Sequence, residues 1–506
     1  MKRIFALILV LLMLFPMVMS CKREEPEDPS SSSSSEEPSS STPVATGPTP
    51  PIQHGFTSKE SIMTDWSGKT LNVLVTRYGA SANYPWGQVE LCASSFGEGV
   101  GQAFDERQAL IKDQYGVDVK WVPAIANQSV SGDLASAEIS GGTTTFEIAI
   151  PRVHEVQTLV SSVYNMHESD YLDFTHDYFS MSAYESFTVS GYTLFAAGGH
   201  DFADEQSSYT MLFNKDMLAE KTPANLYDTI KDGTWTYEAL TSISTLVSKD
   251  TNNDGYGDED IYGFGTKSVT MYYYYFGVFE ADVDPDTGMY RFALDLDIDK
   301  TEQVISLMKA AKSATWARVS GWGGHYGSAM HDAFAEGRLL FFNDVTQKIQ
   351  EICASYELEF ALGVAPFPKL NAEQEDYIVP VNKEQITVIC IPKVTQDRQM
   401  SEYFLDVLSW TGKDYTVKAY YDIIEGSLDP ETSADDMAII EEHVFGNIAY
   451  DIGEITCGSG TSLAGHIKDA TLGDSNFTTL IQEEGALLID TVQGWNSSWG
   501  AYTDED

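Results

Sequence analysis

The stretch Asp250–Gly265, DTNNDGYGDEDIYGFG, carries side-chain oxygens at alternate positions and then a glycine. Asp250, Asn252 and Asp254 occupy relative positions 1, 3 and 5, Gly255 position 6, the Tyr256 carbonyl position 7 and Asp258 position 9. Calcium takes about 6–8 oxygen ligands, and a glycine at the sixth position permits the sharp turn that wraps them around the ion. Position 12, where a complete EF-hand has a bidentate glutamate, is Ile261, and the neighbouring Glu259 is the residue best able to close the sphere. The expected ligands of a structural calcium ion are therefore Asp250, Asn252, Asp254, Tyr256, Asp258 and Glu259, with Asp260 a weaker substitute. The plain alternative is a solvated Asp/Asn turn. Asp282–Gly288, DVDPDTG, repeats the spacing, but it lacks the later acids and Pro285 stiffens it, so a β-turn is expected there.

Other chemistries find less support. The chain contains no GxSxG elbow, no HExxH and no P-loop, and its nine histidines show no metal-ligand spacing. Acids are so numerous, 76 against 30 Lys and Arg, that some pair will lie at glycosidase spacing by chance. The formal net charge of −46 argues against nucleic acid, which needs a basic footprint. No enzymatic activity is expected. Among so few bases, Arg77 and Arg152 stand out, because arginine forks carboxylates as well as hydroxyls.

The elements that must carry these residues begin after an export leader. MKRIFALILVLLMLFPMVMSC has Lys2 and Arg3, an apolar run and Ser20 before Cys21. Residues 1–20 read as a signal peptide. VMSC (Val18–Cys21) resembles a bacterial lipobox, although Met19 stands where a small residue is usual, and makes Cys21 the lipidated, palmitate-bearing first residue. The alternative is an ordinary leader with a chance cysteine. Residues 21–65, rich in Ser and Pro, have almost nothing to bury and form a disordered tether. Cys92, Cys353, Cys390 and Cys457 are widely spaced and form no CxxC pair, so zinc is not expected; export permits disulfides, and buried free thiols are slightly favoured over them. Then come strand-like Lys69–Val75, a helix stopped by Gly116, a strand at Val117–Val122, a helix in DLASAEISGG and a strand at Phe146–Pro151. That alternation argues for an α/β lobe with a parallel sheet. Ligands sit beyond the carboxyl ends of such strands, which makes the loops Arg77–Trp86 and Pro151–His154 candidate site walls. Asn214 and Thr236 are candidate helix caps.

Six segments then occur in a recognisable order: GYTLFAA, MLFNKDMLAE, GTWTYEALTSISTLVSKD, the calcium-like loop, FAEGRLLFFN and LGVAPFPK. Together they resemble the extracellular solute-binding proteins of ABC transporters, in particular the large family that binds sugars and oligosaccharides. The resemblance runs from about Lys69 to Trp410. EEHVFGNIAYDIGEI is also similar to a segment of lipoproteins of this kind from Gram-positive bacteria.

The resemblance implies a two-lobed α/β fold of periplasmic-binding-protein type, with hinge strands near Leu194–His200 and Ile378–Gln385. One lobe would be 66–195 plus 386–425, and the other 196–385 plus 426–506 with the calcium loop at 250–259. It also implies a monomer on the outer face of the cell membrane, a saccharide ligand and ABC permease partners. The alternatives are a surface carbohydrate-active enzyme and a sensor or adhesin without transport. Sugar clefts use aromatic faces against C–H groups, so Tyr272 and Tyr273 of YYYY are candidate contacts, against core packing as the competing role. Further candidates are Arg77, Tyr78 and Trp86 after the first strand, Arg152 after the third, and Ser207 and Tyr209 past the first crossing. Asn343 and Asp344 end LLFFND, while Trp322, Trp495 and Trp499 are candidate lids.

Overall fold

The computed structural model describes residues 65–77, 93–125, 134–141, 145–167, 169–222, 225–266, 272–293, 298–319, 326–383, 385–456, 462–473 and 475–502. The leader, Cys21, Tyr78, Trp86, Cys92, Trp322 and Cys457 lie outside them.

Strand β1 (Thr70–Arg77) alternates its side chains between two cores. Leu71, Val73 and Val75 enter one with Ile111, Ile148 and Phe404, and Leu74 enters the other. Each such aliphatic side chain contributes about 1.5–3 kcal/mol when fully buried. Helix α1 (Glu98–Tyr115) follows, then β2 (Asp118–Ile125), α2 (Leu134–Gly141) and β3 (Ile148–Ile150). The sheet order is β2-β1-β3, all parallel, with Thr70 opposite Asp118 and Val73 opposite Ile148. Gly116 ends α1 in the left-handed conformation at φ 66°, as expected of it, and its N–H bonds the Lys112 carbonyl. A Cβ there would come within 2.5 Å of Ser67 Oγ.

The second sheet holds β4 (Tyr209–Asn214), β5 (Tyr262–Thr266), β6 (Ala317–Val319), β7 (Leu339–Val345) and β8 (Leu362–Ala365). Its order is β6-β5-β7-β4-β8. The pairs β6/β5 and β5/β7 are parallel, whereas β7/β4 and β4/β8 are antiparallel. Between β4 and β5 runs α3 (Tyr237–Val247), whose Thr236 cap accepts from the Ala239 N–H. Asn214 likewise caps the helix Lys215–Lys221. Around these strands lie α4 (Ile298–Ser313), α5 (Tyr326–Ala335) and α6 (Gln347–Ser355). The Asp282–Gly288 segment is the turn of an antiparallel hairpin, Ala281–Val283 with Tyr290–Phe292, as its proline led one to expect.

Two chain segments pass side by side from one sheet to the other. Cys390 bridges Ala149 in β3, and Ile389 bridges Ala196, so both segments widen the first sheet. Further on, Ser208 bridges Val381 beside the second sheet. Helix α7 (Arg398–Gly412) packs on the first sheet through Phe404 and Leu408. Helix α8 (Lys418–Gly426) stacks Tyr420 on Phe202 at 4.7 Å, in a core shared with Leu212 and Phe342 of the second sheet. Helix α9 (Phe477–Gly500) exchanges two hydrogen bonds between Asn496 and the Tyr290 backbone. Just beyond it, the Tyr502 hydroxyl bonds the Val163 carbonyl at 3.2 Å. Cys353 is half-buried, Cys390 is buried, and both are free thiols.

Candidate functional site

The carboxyl ends of β3 and β7 and the amino end of the antiparallel β4 meet at the paired crossings. On the first side, Glu155 is fully buried just past β3. Its carboxylate accepts from Thr76 Oγ1 at 3.0 Å, the Ala135 N–H at 2.8 Å and the Arg152 N–H at 3.2 Å. One acid thus ties together the ends of β1, α2 and β3. Arg152 is buried beside it and bridges Thr387 of the returning crossing. Burial, then the charges of Arg152 and Lys383, hold the His154 imidazole down at about 4, so it is neutral at physiological pH.

The crossings themselves are joined by a buried polar network. Thr387 Oγ1 donates to Asp201 Oδ2 at 2.5 Å, and Asp201 Oδ1 accepts from the Ala203 N–H at 2.9 Å. His200 Nε2 lies 3.3 Å from Thr387 Oγ1. The threonine proton is already given to Asp201 and burial lowers the His200 pKa. The network therefore assigns the His200 proton to Nε2 as donor to Thr387.

On the second side, the β4–β7 register sets Thr210 opposite Asp344 and Met211 opposite Asn343. Asn343 Nδ2 donates to the Thr210 carbonyl at 2.9 Å and to the Tyr275 hydroxyl at 2.8 Å. Asp344 takes the Val345 N–H on Oδ1 and lies 2.9 Å from His331 Nε2 on Oδ2. Ser207 is buried and donates to the Ala203 carbonyl, while Tyr209 is half-buried at the start of β4.

Arg77 ends β1, so Arg77, Arg152, Ser207, Tyr209, Asn343 and Asp344 all fall at strand ends or on the crossings. Tyr272 and Tyr273 do not. Tyr272 is buried against Phe367 at 5.0 Å, with Phe264 and Tyr237 around it, and Tyr273 packs on Tyr274. Their ring faces are occupied by other aromatic side chains. The tyrosine of this run that reaches the site is Tyr275, stacked on Phe367 at 4.1 Å with its hydroxyl on Asn343. Trp495 and Trp499 pack on Tyr290, and Trp499 also meets Phe195, so both are core residues of α9 rather than lids. Glu155, Thr387, Asp201 and His331 are not marked by any motif in the sequence. Thr387 and Asp201 are 186 residues apart, a contact that no local pattern encodes, whereas Glu155 has a partner only three residues away, the Arg152 N–H.

In the acidic loop, ligand-capable oxygens of Asp250, Asp254 and Asp260 lie within 4.8 Å of one another. Two oxygens bound to one calcium at about 2.5 Å are at most about 5 Å apart, so this spread fits the ion. Asn253 and Gly255 take positive φ, 61° and 102°, to fold the acids inward. The acids that cluster are not the ones expected. Asp258 is drawn away to Arg318 Nη2 at 2.7 Å, and Asp260 rather than Asp258 or Glu259 joins the group. The backbone N–H groups of Thr251 and Gly257 orient Asp260 and hold its carboxyl below the usual range.

No protein-family model matches the chain, and no curated protein matches it. Solved structures do. A cyclo/maltodextrin-binding protein complexed with maltotetraose aligns with a TM-score of 0.52 at 11% identity, over 85% of this chain and 99% of its own. UspC of M. tuberculosis aligns at 0.51 and 14%, over 83% and 100%. The cyclic alpha-maltosyl-1,6-maltose binding protein of Arthrobacter globiformis aligns at 0.50 and 12%, over 85% and 98%. The fold expected from the six segments is therefore the one observed: a two-lobed α/β fold of periplasmic-binding-protein type.

Proposed function

We propose that this chain is a cell-surface solute-binding protein that traps a carbohydrate or oligosaccharide and delivers it to an ABC importer. The observation that carries the reading is the paired crossing. Two antiparallel segments, tied by Thr387–Asp201 and the Ser208–Val381 bridge, join two sheets whose strand ends both face them. Such a pair acts as a hinge, and closing it wraps the solute in groups from both sides. The closed form is the state a permease can distinguish. Structures of the same fold include two whose names specify maltotetraose and cyclic alpha-maltosyl-1,6-maltose as what they bind. Tyr209, Asp344 and Arg152 would supply the contacts to the solute's hydroxyls. Cys21 would carry the lipid anchor, with the Ser/Pro tether holding the folded part above the outer membrane face. Asp250, Asp254 and Asp260, with Asn252 and the Tyr256 carbonyl, would hold a structural calcium ion.

A thermal-shift screen of neutral and uronate saccharides tests the binding reading. A dose-dependent rise with at least one of them is expected, and that saccharide is recovered unchanged. Deleting the gene should abolish the cell's uptake of the same saccharide. No shift across the panel would sink the carbohydrate assignment, and a released cleavage product would make the protein an enzyme.

A further inference from the structure

Strand β7 carries two polar residues near its end, and its alternation sends their side chains to opposite faces of the second sheet. Asp344 shares a face with Phe342 and meets His331. Asn343 shares the other with Phe341. Met211 of β4 stands directly opposite it, and Thr266, the last residue of β5, pairs with it on the other side. Tyr209, at the start of β4, stands on that same face two residues nearer the crossings.

Asn343 is the telling residue. It is only 4% exposed, yet its amide is satisfied at one end alone. Nδ2 has two hydrogens and both are used, one by the Thr210 carbonyl at 2.9 Å and one by the Tyr275 hydroxyl at 2.8 Å. A backbone carbonyl can only accept, so the Thr210 bond assigns which end of the amide is nitrogen. Oδ1 therefore points away from both partners. It takes no hydrogen bond from any described residue, and it is not closed off from solvent. Side chains this buried with an idle acceptor are few in native folds, and each calls for an explanation. The amide cannot turn to find a donor nearby. The Tyr275 ring that holds it is stacked on Phe367 at 4.1 Å with 16° between the planes, and the Tyr275 carbonyl is tied to Gln374 Nε2 at 3.2 Å.

We propose that Asn343 is a specificity-determining contact whose Oδ1 accepts a hydrogen bond from one free hydroxyl of the solute, and that Tyr275 is the positioning residue that fixes the amide for it. The inference rests on the reading that a saccharide is held at these strand ends. The chemistry of the acceptor selects what it meets. An amide oxygen is satisfied by a hydroxyl, which can donate, and by neither an ether oxygen nor a carboxylate, which cannot. The solute position at Asn343 is thus a free hydroxyl, not a glycosidic oxygen or a uronate carboxylate.

The probes are glucose, galactose, mannose and xylose, free and as their tetrasaccharides, titrated calorimetrically into residues 66–506. Monodeoxy analogues of the tightest binder follow. Loss of one particular hydroxyl should weaken binding to the parent at least about tenfold, because the buried acceptor is left idle again. Asn343→Ala should weaken the complete sugar by about the same factor and leave the affinity for that deoxy analogue within about twofold of the parent's. Tyr275→Phe keeps the ring on Phe367 and should show the same pattern at about threefold or more. A merely structural role would weaken the sugar and its deoxy analogue alike. If Asn343→Ala does not fold, Tyr275→Phe and the deoxy series on the parent carry the comparison. Equal losses for both sugars in the variants, or a parent indifferent to every deoxygenation, would overturn the inference and leave the saccharide reading standing. Absence of binding by every probe would overturn both.

Discussion

At the residue scale, buried polar side chains do two kinds of work, and exchanging them separates the two. Thr387 completes a network in which His200 donates to it and it donates to Asp201. Thr387→Val leaves Asp201 Oδ2 and His200 Nε2 buried without this hydroxyl, so urea unfolding should show a loss of about 1–3 kcal/mol. Asp406 is different. Tyr178 donates to its Oδ1 at 2.7 Å, its Oδ2 has no partner, and burial lifts its carboxyl to about 7. Its folded pKa thus exceeds the unfolded value, so the folded state binds the extra proton. Stability falls as pH rises from about 4 to 7, and the loss is complete above that. Asp406→Asn should be more stable than the parent at pH 8, by on the order of a few kcal/mol, with the difference closing by pH 4. Equal stability at pH 8 would show that the carboxyl is ionised in the fold at little cost. Tyr272→Ala, by contrast, empties a core position and should cost about 3–5 kcal/mol. A selective loss of solute affinity in that variant, with stability unchanged, would return Tyr272 to the cleft.

At the scale of elements, the sequence was most readable where geometry is local. Gly116, Asn214 and Thr236 cap helices as their types require, and the parallel strands follow from β-branched runs. The four-tyrosine run was harder. Period alone states that its members point different ways, but which one faces the site depends on where Phe367 and Asn343 arrive from later in the chain. Which acids of the loop cluster was hidden for the same reason, since Arg318 is 60 residues from the Asp258 it captures. An ion bound only to the folded state stabilises it by mass action. EDTA should therefore lower the melting temperature by about 1–2 °C, which is what 1–2 kcal/mol produces in a folded part of this size. Asp254→Ala should remove that sensitivity. An EDTA-independent melting temperature in the parent would leave the loop as a hydrogen-bonded turn. The strand leading out of this loop is tightly constrained. A Cβ on Gly263 would lie 2.1 Å from Ser244 Cα, so Gly263→Ala should be severely destabilising by calorimetry.

At the scale of the whole molecule, the order of six short segments made the two-lobed fold legible, although none of them specifies it alone. The pairing of the crossings was not legible in the same detail. Ala196 meets Ile389 and Ser208 meets Val381 across more than 170 residues of intervening chain, a separation that no periodicity encodes. Arg152, Tyr209 and Asp344 all lie at strand ends or beside the crossings, and a saccharide held between the two sheets is expected to meet them. The direct test is isothermal titration calorimetry of residues 66–506 with the saccharide that most raises their melting temperature. One site per chain is expected, weakened at least about tenfold by Asp344→Ala together with Tyr209→Ala, since buried polar contacts to a ligand are worth several kcal/mol in discrimination. Binding of full strength in that double variant, or no saturable heat with any saccharide, would contradict it.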